Sequence, residues 1–362
     1  MLQSIPCALM RGGTSKGLYF LSEDLPVDIA QRDEVLLAAM GSPDFRQIDG
    51  VGGAHPLTSK VAIVGPSTHP DADVDYLFLQ VVVDQAKVLD VQNCGNILAG
   101  VGPFALERGL VNFASDETEV VIHMLNTGSL CKAKVQTPGG QVEYEGGTSI
   151  DGVPGTHAPI SLNFIGLEGA SCGALLPTGS PCDVVDGVEV TCIDNGMPVI
   201  LIAAESLGIS GYETPTELEA NESLRARLEA IRLEIGPKMN LGEVSSKSVP
   251  KISIVAPPRL GGSISTRTFI PHRVHEAIGV LGAVSVASAL AVSGSVAEKM
   301  LAANMKEGNH RLVVEHPTGS FIVELDMSLT IGLRPVFSKS AIIRTARMLM
   351  DGQVFVPGHI FE

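Results

Sequence analysis

The sequence predicts an α+β fold of two similar halves, each a β-sheet around one central helix. Short runs rich in Val and Ile, bounded by turn residues, dominate the chain. Two helical segments are apolar on every side, which is typical of helices buried all round. One strand motif also occurs twice, 191 residues apart. At 362 residues a single core is near its upper size limit, which favours two domains.

The strand-like runs are spread over the whole chain. They are 60–64, 74–83, 119–124, 131–136, 188–192, 199–203, 251–255 and 311–315. The runs that begin at Lys60 and Lys251 share the pattern Lys-aliphatic-x-Ile-Val-x-Pro, and each precedes a loop, a strand, a polar motif and an apolar helix. We interpret this as a weak internal repeat. A chance match over seven positions is the alternative.

Four helices are predicted. They cover 217–235, about 28–40, the segment from 97 to about 108, and about 275–292. The first is amphipathic, with Thr216 and Glu219 as a capping box and Gly236-Pro237 as its end. The last two are the apolar pair. Each follows a polar motif, so we expect their N-termini to face a ligand cleft between the halves.

Charge and composition narrow the class of partner. With 25 Lys and Arg against 40 Asp and Glu, the net charge is −15, which argues against nucleic acid or an anionic membrane as the main partner. The N-terminus lacks a secretory signal, and the apolar run 277–292 is shorter than the roughly 18 to 20 residues that span a bilayer. Six cysteines without a CxxC pair predict free thiols. We expect a cytoplasmic protein with a small-molecule substrate, and a homodimer is left open.

Cys94, in Asn93-Cys94-Gly95-Asn96, is the best-placed thiol in the chain. Backbone N–H groups at a helix N-terminus bind anions, and a thiol placed there has its pKa lowered. Glycine beside it lets a ligand approach the backbone. The alternative is a buried, inert cysteine.

Two further segments carry cations beside turn residues. Lys60 begins an aliphatic strand, so it is either a surface cation or, if partly desolvated, a base. Met10–Gly17 resembles a phosphate loop but lacks the Walker A spacer and precedes a strand, so we expect an anion-binding turn there. The pattern G-x-G-x-x-A at 100–105 lies inside a predicted helix without a βαβ unit, so no nucleotide cofactor is expected.

A second cationic cluster precedes the last predicted helix. It contains Arg267, His272, Arg273 and His275. The two histidines lack a third ligand at metal-binding spacing, which favours substrate carboxylates over zinc. Solvated surface charge is the alternative.

Several segments together resemble the PrpF family of the diaminopimelate epimerase-like superfamily, over nearly the whole chain. They are Met10–Gly17, Gly52-Gly53, Thr58–Val64, Asn93–Asn96, Asp194–Pro198 and Phe269–Arg273. The resemblance implies two pseudo-symmetric halves, each a mixed sheet or barrel around a central helix, with the active site between them. It places the domains at 1–170, with 348–362 packing back on it, and at 171–347. It also implies cofactor-free proton shifts on unsaturated polycarboxylates.

By this resemblance, Lys60 and Cys94 correspond to the family's catalytic lysine and cysteine. Racemases of the wider superfamily use two thiols, one at each central helix, but no cysteine lies near His275, so the resemblance points to a one-sided proton shift. No cofactor and no metal are expected. The residues expected to bind the substrate are Arg11, Ser15, Lys16, Gly53, Ser59, Gly95, Asn96, Asn195, Arg267, His272 and Arg273.

Within the family, five segments are most similar to 4-oxalomesaconate tautomerases and isomerases of gallate and protocatechuate breakdown. They are Met40–Asp44, Gln47–Gly50, Asn93–Gly109, Gly173–Gly179 and Met239–Gly242. The resemblance therefore implies a 1,3 proton shift on 4-oxalomesaconate. A 2-methylaconitate cis-trans isomerase of the same family and a non-catalytic tricarboxylate-binding protein are the alternatives.

Overall fold

A computed structural model describes residues 1–90, 93–301, 305–330 and 334–362, which form two compact units. The first unit contains 1–163 and 344–362, and the second contains 164–343. The strands from the N-terminus to the unit boundary are β1 (Leu2–Gly12), β2 (Ser15–Leu21), β3 (Lys60–Pro66), β4 (Val74–Val81), β5 (Val88–Leu89), β6 (Glu117–Met124), β7 (Ser129–Gln136) and β8 (Ile160–Phe164). The helices among them are α1 (Ile29–Met40) and α2 (Gly95–Glu107).

The chain continues through the second unit and then returns to the first. The strands are β9 (Asp183–Val185), β10 (Val188–Asp194), β11 (Pro198–Ala203), β12 (Lys251–Ala256), β13 (Ile264–Phe269), β14 (Gly308–His316), β15 (Gly319–Leu329), β16 (Pro335–Arg344) and β17 (Ala346–Pro357). The helices are α3 (Pro215–Ala220), α4 (Glu222–Ile235) and α5 (Val280–Leu290). None of the helices in the described ranges is both long and apolar enough to cross a membrane.

The two units have the same strand connectivity. Along β1-β2-β3-β4-β6-β7 the neighbours pair antiparallel, parallel, antiparallel, parallel and antiparallel. Along β10-β11-β12-β13-β14-β15 the sequence of orientations is identical. The repeated motif occupies the third strand of each series, β3 and β12. This agreement confirms the internal repeat that seven positions predicted.

Each unit encloses one helix. Residues 97–106 of α2 are all buried, and the helix packs against β1, β2, β3, β4, β6, β7 and β17. Residues 282–290 of α5 are all buried, and that helix packs against β10, β11, β14 and β15. The crossover from β2 to β3 carries α1, the crossover from β11 to β12 carries α3 and α4, and these helices bury one face each. The predicted α+β class with a mixed sheet around a central helix is confirmed.

The helices of the second unit differ from the prediction. The helix predicted over 217–235 is two helices, because Asn221 ends α3 and caps α4 by accepting a hydrogen bond from Leu224 N. The capping box consists of Thr214 and Glu217, so the box predicted at Thr216 and Glu219 is wrong.

The central helix predicted from about His275 begins only at Val280. The residues before it form a turn, in which His275 N donates to Thr268 O and Ala277 N donates to the His275 ring. The apolar run therefore starts before the helix does.

Candidate active site

Lys60 begins β3 with its side chain buried in the first unit, only 7% exposed. Its Nζ donates to Gln80 Oε1 at 2.9 Å and lies 4.9 Å from the centroid of the Phe78 ring. Gln80 Nε2 donates to the Ser59 and Pro56 carbonyls, at 2.8 and 3.1 Å, so its oxygen must face the lysine. The lysine is thus held by a neutral acceptor and an aromatic face, with no carboxylate bonded to it in the described chain.

Ser59 is fully buried and fixes the start of β3. Its Oγ donates to Val81 O at 2.8 Å and accepts from Gln47 Nε2 at 2.7 Å. Gln47, at φ 46°, also accepts from Ala54 N. Gly53 is needed in this loop because a Cβ there would overlap the Thr58 side chain. Ser59 and Gly53 therefore shape the loop that presents Lys60.

Cys94 is the N-cap of α2 and is partly buried. Its carbonyl accepts from Leu98 N at 2.9 Å and from Tyr76 OH at 3.4 Å, while its thiol makes no capping hydrogen bond. Gly95 and Asn96 follow as the first helical residues, and the first amides of a helix have no partner inside it. The thiol thus lies beside backbone donors that can hold an anion.

One face of β4 connects Lys60 with Cys94. Tyr76, Phe78 and Gln80 alternate along the strand, so they share a face. Tyr76 contacts the Cys94 carbonyl, and the other two contact Lys60 Nζ. The structure therefore brings the predicted lysine and cysteine to one side of the same sheet.

The predicted anion-binding turn is the hairpin of β1 and β2, which packs on the N-terminus of α2. Asn96 Nδ2 donates to Thr14 Oγ1 at 3.0 Å. Gly13 has φ 50°, and a Cβ there would overlap the Asn96 side-chain oxygen. Arg11 Nη1 donates to Gly13 O, Thr345 O and Thr345 Oγ1. The glycine therefore allows the hairpin to approach the first turn of α2 directly.

A cavity of about 250 Å³ opens at this hairpin. Arg11, Ser15 and Lys16 line it, together with Thr14 and Thr58. Three of the predicted substrate contacts, Arg11, Ser15 and Lys16, thus line one cavity, and neither Lys60 nor Cys94 is among the described residues that line it.

Asn195, a predicted substrate contact, is fully buried in the second unit. Its Nδ2 donates to Ser288 Oγ at 2.7 Å and Ser340 Oγ at 3.1 Å, and its backbone N donates to Ser285 Oγ. These bonds attach the end of β10 to α5. The Asn195 side chain therefore has a structural role within the second unit.

The other predicted contacts of the second unit bind acidic segments of their own unit. Arg267 is 9% exposed, its Nε donates to Glu213 O at 2.6 Å, and burial lowers its pKa. The exposed His272 and Arg273 lie 3.9 Å from Glu229 and 3.7 Å from Glu219. The three side chains therefore lie against three different glutamate residues, and Arg267 contacts its glutamate through the backbone carbonyl. The described residues contain no group of three metal-ligating side chains.

The two central helices differ at the N-cap. Gly279 caps α5 where Cys94 caps α2, and a Cβ on Gly279 would meet no described atom within 4 Å. The N-cap of α5 thus has room for a side chain, but its residue is Gly279, which carries no thiol.

Sequence reasoning missed several groups of this site. The register of β3 with β4 determines that Gln80 and Tyr76 lie on the face of Lys60, and the sequence does not reveal this register. Arg344 is 2% exposed, and burial lowers its pKa to about 9 although the charge of Cys94 opposes that shift. Arg344 is therefore within electrostatic reach of Cys94. It lies 250 positions away along the chain, and nothing in the sequence indicates this proximity.

We expect Cys94 to be the first cysteine that iodoacetamide alkylates at pH 8. Burial raises the pKa of Cys7 to about 11 and of Cys172 to about 12, and it also raises the pKa of Cys131, Cys182 and Cys192, so these thiols stay protonated and unreactive. Peptide mass spectrometry measures the order in which the cysteines are alkylated. Cys182, also partly exposed, is the internal control, and its alkylation before Cys94 would contradict the prediction.

Comparison with known proteins identifies the family. A family model described as PrpF protein matches residues 2–357. The chain belongs to the PrpF family. It is 59% identical to a 4-oxalomesaconate tautomerase of Pseudomonas putida, over 97% of this chain and 96% of that protein. It is also 59% identical to a (4E)-oxalomesaconate Delta-isomerase of Novosphingobium sp., over 98% of each.

A solved structure agrees with the family assignment. The crystal structure of a methylitaconate-delta-isomerase matches with a TM-score of 0.88 and 37% identity, over 100% of this chain and 97% of that one. The predicted family and diaminopimelate epimerase-like fold are confirmed, and this PrpF protein is an isomerase.

Proposed function

We propose that this PrpF protein catalyses a 1,3 proton shift on an unsaturated polycarboxylate, with 4-oxalomesaconate as its substrate. The observation that carries the proposal is the 59% identity, along nearly the whole chain, to two proteins named for that compound. The contacts of Lys60 and Cys94 with one face of β4 support it.

The proposed reaction moves one proton and leaves the composition of the substrate unchanged. A base removes a proton from a carbon next to a carbonyl or conjugated double bond, and the electron pair spreads over a dienolate. A proton then returns two carbons away, or on oxygen. Lys60 is the proposed acid and base, because its ammonium form also stabilises the dienolate charge. Gln80 orients Nζ without neutralising its charge.

Cys94 is the proposed second proton carrier or orienting group. Substrate carboxylates bind the amides of Gly95 and Asn96 and the hairpin that carries Arg11 and Lys16. The predicted contacts in the second unit, Arg267, His272 and Arg273 among them, stay predictions. With Gly279 at the N-cap of α5, the proton is removed and returned on one side of the substrate.

Proton exchange in D₂O tests the proposal. We expect the protein to convert 4-oxalomesaconate and to incorporate deuterium at the allylic carbon, measured by proton NMR. The chain with Lys60→Met serves as the control and should leave the substrate unlabelled. Binding without exchange by the unmodified chain would instead identify a tricarboxylate-binding protein. Faster turnover of 2-methylaconitate than of 4-oxalomesaconate would instead identify a 2-methylaconitate cis-trans isomerase.

A further inference from the structure

Ser15 is a buried hydroxyl at the start of β2 that makes no hydrogen bond. Its side chain is 2% exposed, and its Oγ has no hydrogen-bond partner within the described ranges. Buried polar groups in folded proteins are nearly always hydrogen-bonded, and each exception needs an explanation. A hydroxyl that the fold itself does not satisfy is available to a bound molecule.

Strand register places Ser15 on the face of the sheet that carries Lys60. Residues two apart on a strand share a face, so Ser15 points to the same side as Gly17, whereas Lys16 points to the other side. Gly17 is directly opposite Lys60 in the parallel pairing of β2 with β3. Lys60 is in turn directly opposite Gln80 on β4. Ser15 therefore lies two residues, about 6.6 Å of strand, from the row that holds the proposed acid and base.

The same face meets the first turn of α2. Ser15 is directly opposite Gly12 on β1, so the two residues share a face. A Cβ on Gly12 would overlap Asn96 O and would lie 3.1 Å from Ile97 Cα. The hairpin backbone thus touches the start of α2 beside Ser15. The first amides of a helix have no partner inside it, so Ser15, Lys60 and these amides lie on one side of the sheet.

A single neutral hydroxyl suits a single oxygen atom of the substrate. A carboxylate has two oxygens and accepts several hydrogen bonds, which the amides at a helix N-terminus can supply. Serine supplies one O–H group. It therefore fits the carbonyl oxygen on which negative charge develops when a conjugated carbon loses its proton. A conjugated substrate can extend along β2 from the carbon at Lys60 to an oxygen at Ser15.

We propose that the Ser15 hydroxyl donates a hydrogen bond to the oxygen that carries the negative charge of the dienolate. The inference rests on the proposed function for the reaction. Ser15 keeps its proton throughout, and the proton that moves is the one that Lys60 removes and returns. Ser15 is thus a catalytic residue that stabilises the intermediate without exchanging a proton with it.

The kinetics of Ser15→Ala test this role. We expect kcat for 4-oxalomesaconate to fall about 10²-fold or more, as for other losses of one oxyanion donor. KM should change less than about 3-fold, because the charge on the oxygen develops only after the substrate is bound. Ser115→Ala is the control. It removes an exposed hydroxyl of the same unit, which donates to Glu117 O, and should leave both constants unchanged.

Binding of an oxyanion analogue gives a second measurement that does not depend on turnover. The nitronate form of 3-nitropropionate and succinate are dianions of equal chain length, but only the nitronate has the planar, conjugated oxyanion of an enolate. We expect calorimetry to show that the unmodified chain binds the nitronate about 10-fold more tightly than succinate, because a charge-assisted hydrogen bond is stronger at the more basic oxygen. In Ser15→Ala this preference should fall to about 2-fold.

Three results would overturn the role of Ser15. They are an unchanged kcat in Ser15→Ala, a rise in KM at constant kcat, which indicates a contact made equally before the reaction, and a lower kcat and melting temperature with the nitronate preference retained, which indicates a structural effect. If the unmodified chain prefers the nitronate through Ser15 but does not convert 4-oxalomesaconate, the oxyanion contact stands and the proposed substrate fails.

Discussion

Replacing Lys60 by Met is expected to lower kcat by about 10³-fold without unfolding the protein. A positioned acid or base contributes about 10² to 10⁴ in rate, and Met has no proton to exchange. The side chain is buried against Phe78, so an unbranched apolar replacement of similar length fits the same surface. The initial rate of the absorbance change of the conjugated substrate measures the effect.

Lys134→Met is the matched control for this variant. Lys134 lies on β7 of the same unit and forms an exposed ion pair with Glu117 at 3.2 Å. We expect this variant to keep the rate of the unmodified chain, since exposed pairs contribute little. If Lys60→Met retained full turnover with an unchanged melting temperature, the lysine would not be the acid or base, although the fold and family would stand.

Replacing Cys94 by Ser is expected to lower kcat by about 10²-fold and at the same time to stabilise the protein slightly. A serine hydroxyl does not ionise near neutral pH, so it is a poor proton carrier. Serine is, however, a preferred N-cap residue, worth about 1 kcal/mol over residues that do not cap. Cys94 caps α2 without a side-chain hydrogen bond. Activity and melting temperature should therefore change in opposite directions.

The same substitution at Cys182 provides the comparison. This thiol is also partly exposed, but it lies in the second unit. We expect Cys182→Ser to retain the rate of the unmodified chain. Full activity of Cys94→Ser would show that the thiol carries no proton. A lower melting temperature would show that the thiol supports the helix in a way that serine does not.

Local signals explain which parts of the fold were predictable. The helices α1 and α2 were predicted to within a few residues, because their apolar pattern and their flanking residues lie next to each other in sequence. The break at Asn221 was missed, although Leu218, six positions before Leu224, is out of phase with the apolar face of α4 at 3.6 residues per turn. β17 was missed because its exposed residues alternate irregularly with buried ones and its partner, β1, lies at the other end of the chain.

The candidate site was predictable where chemistry and local motif coincide. Lys60 and Cys94 lie in segments that resemble the family. Gln80 was missed because its position directly opposite Lys60 depends on how β3 pairs with β4. Such pairings join residues far apart in sequence, and composition does not reveal them.

The pairing of β1 with β17 determines when the candidate site can be completed during synthesis. The second unit is one continuous stretch, so all its strands have been made before β17 emerges from the ribosome. The first unit cannot be completed until the end of the chain is made, because Arg11 binds Thr345 and pairs with Arg347. Domains generally fold as units as they are synthesised. A nascent chain that stops before residue 344 would therefore hold Lys60 and Cys94 but lack β17, the strand that pairs with β1 along its whole length.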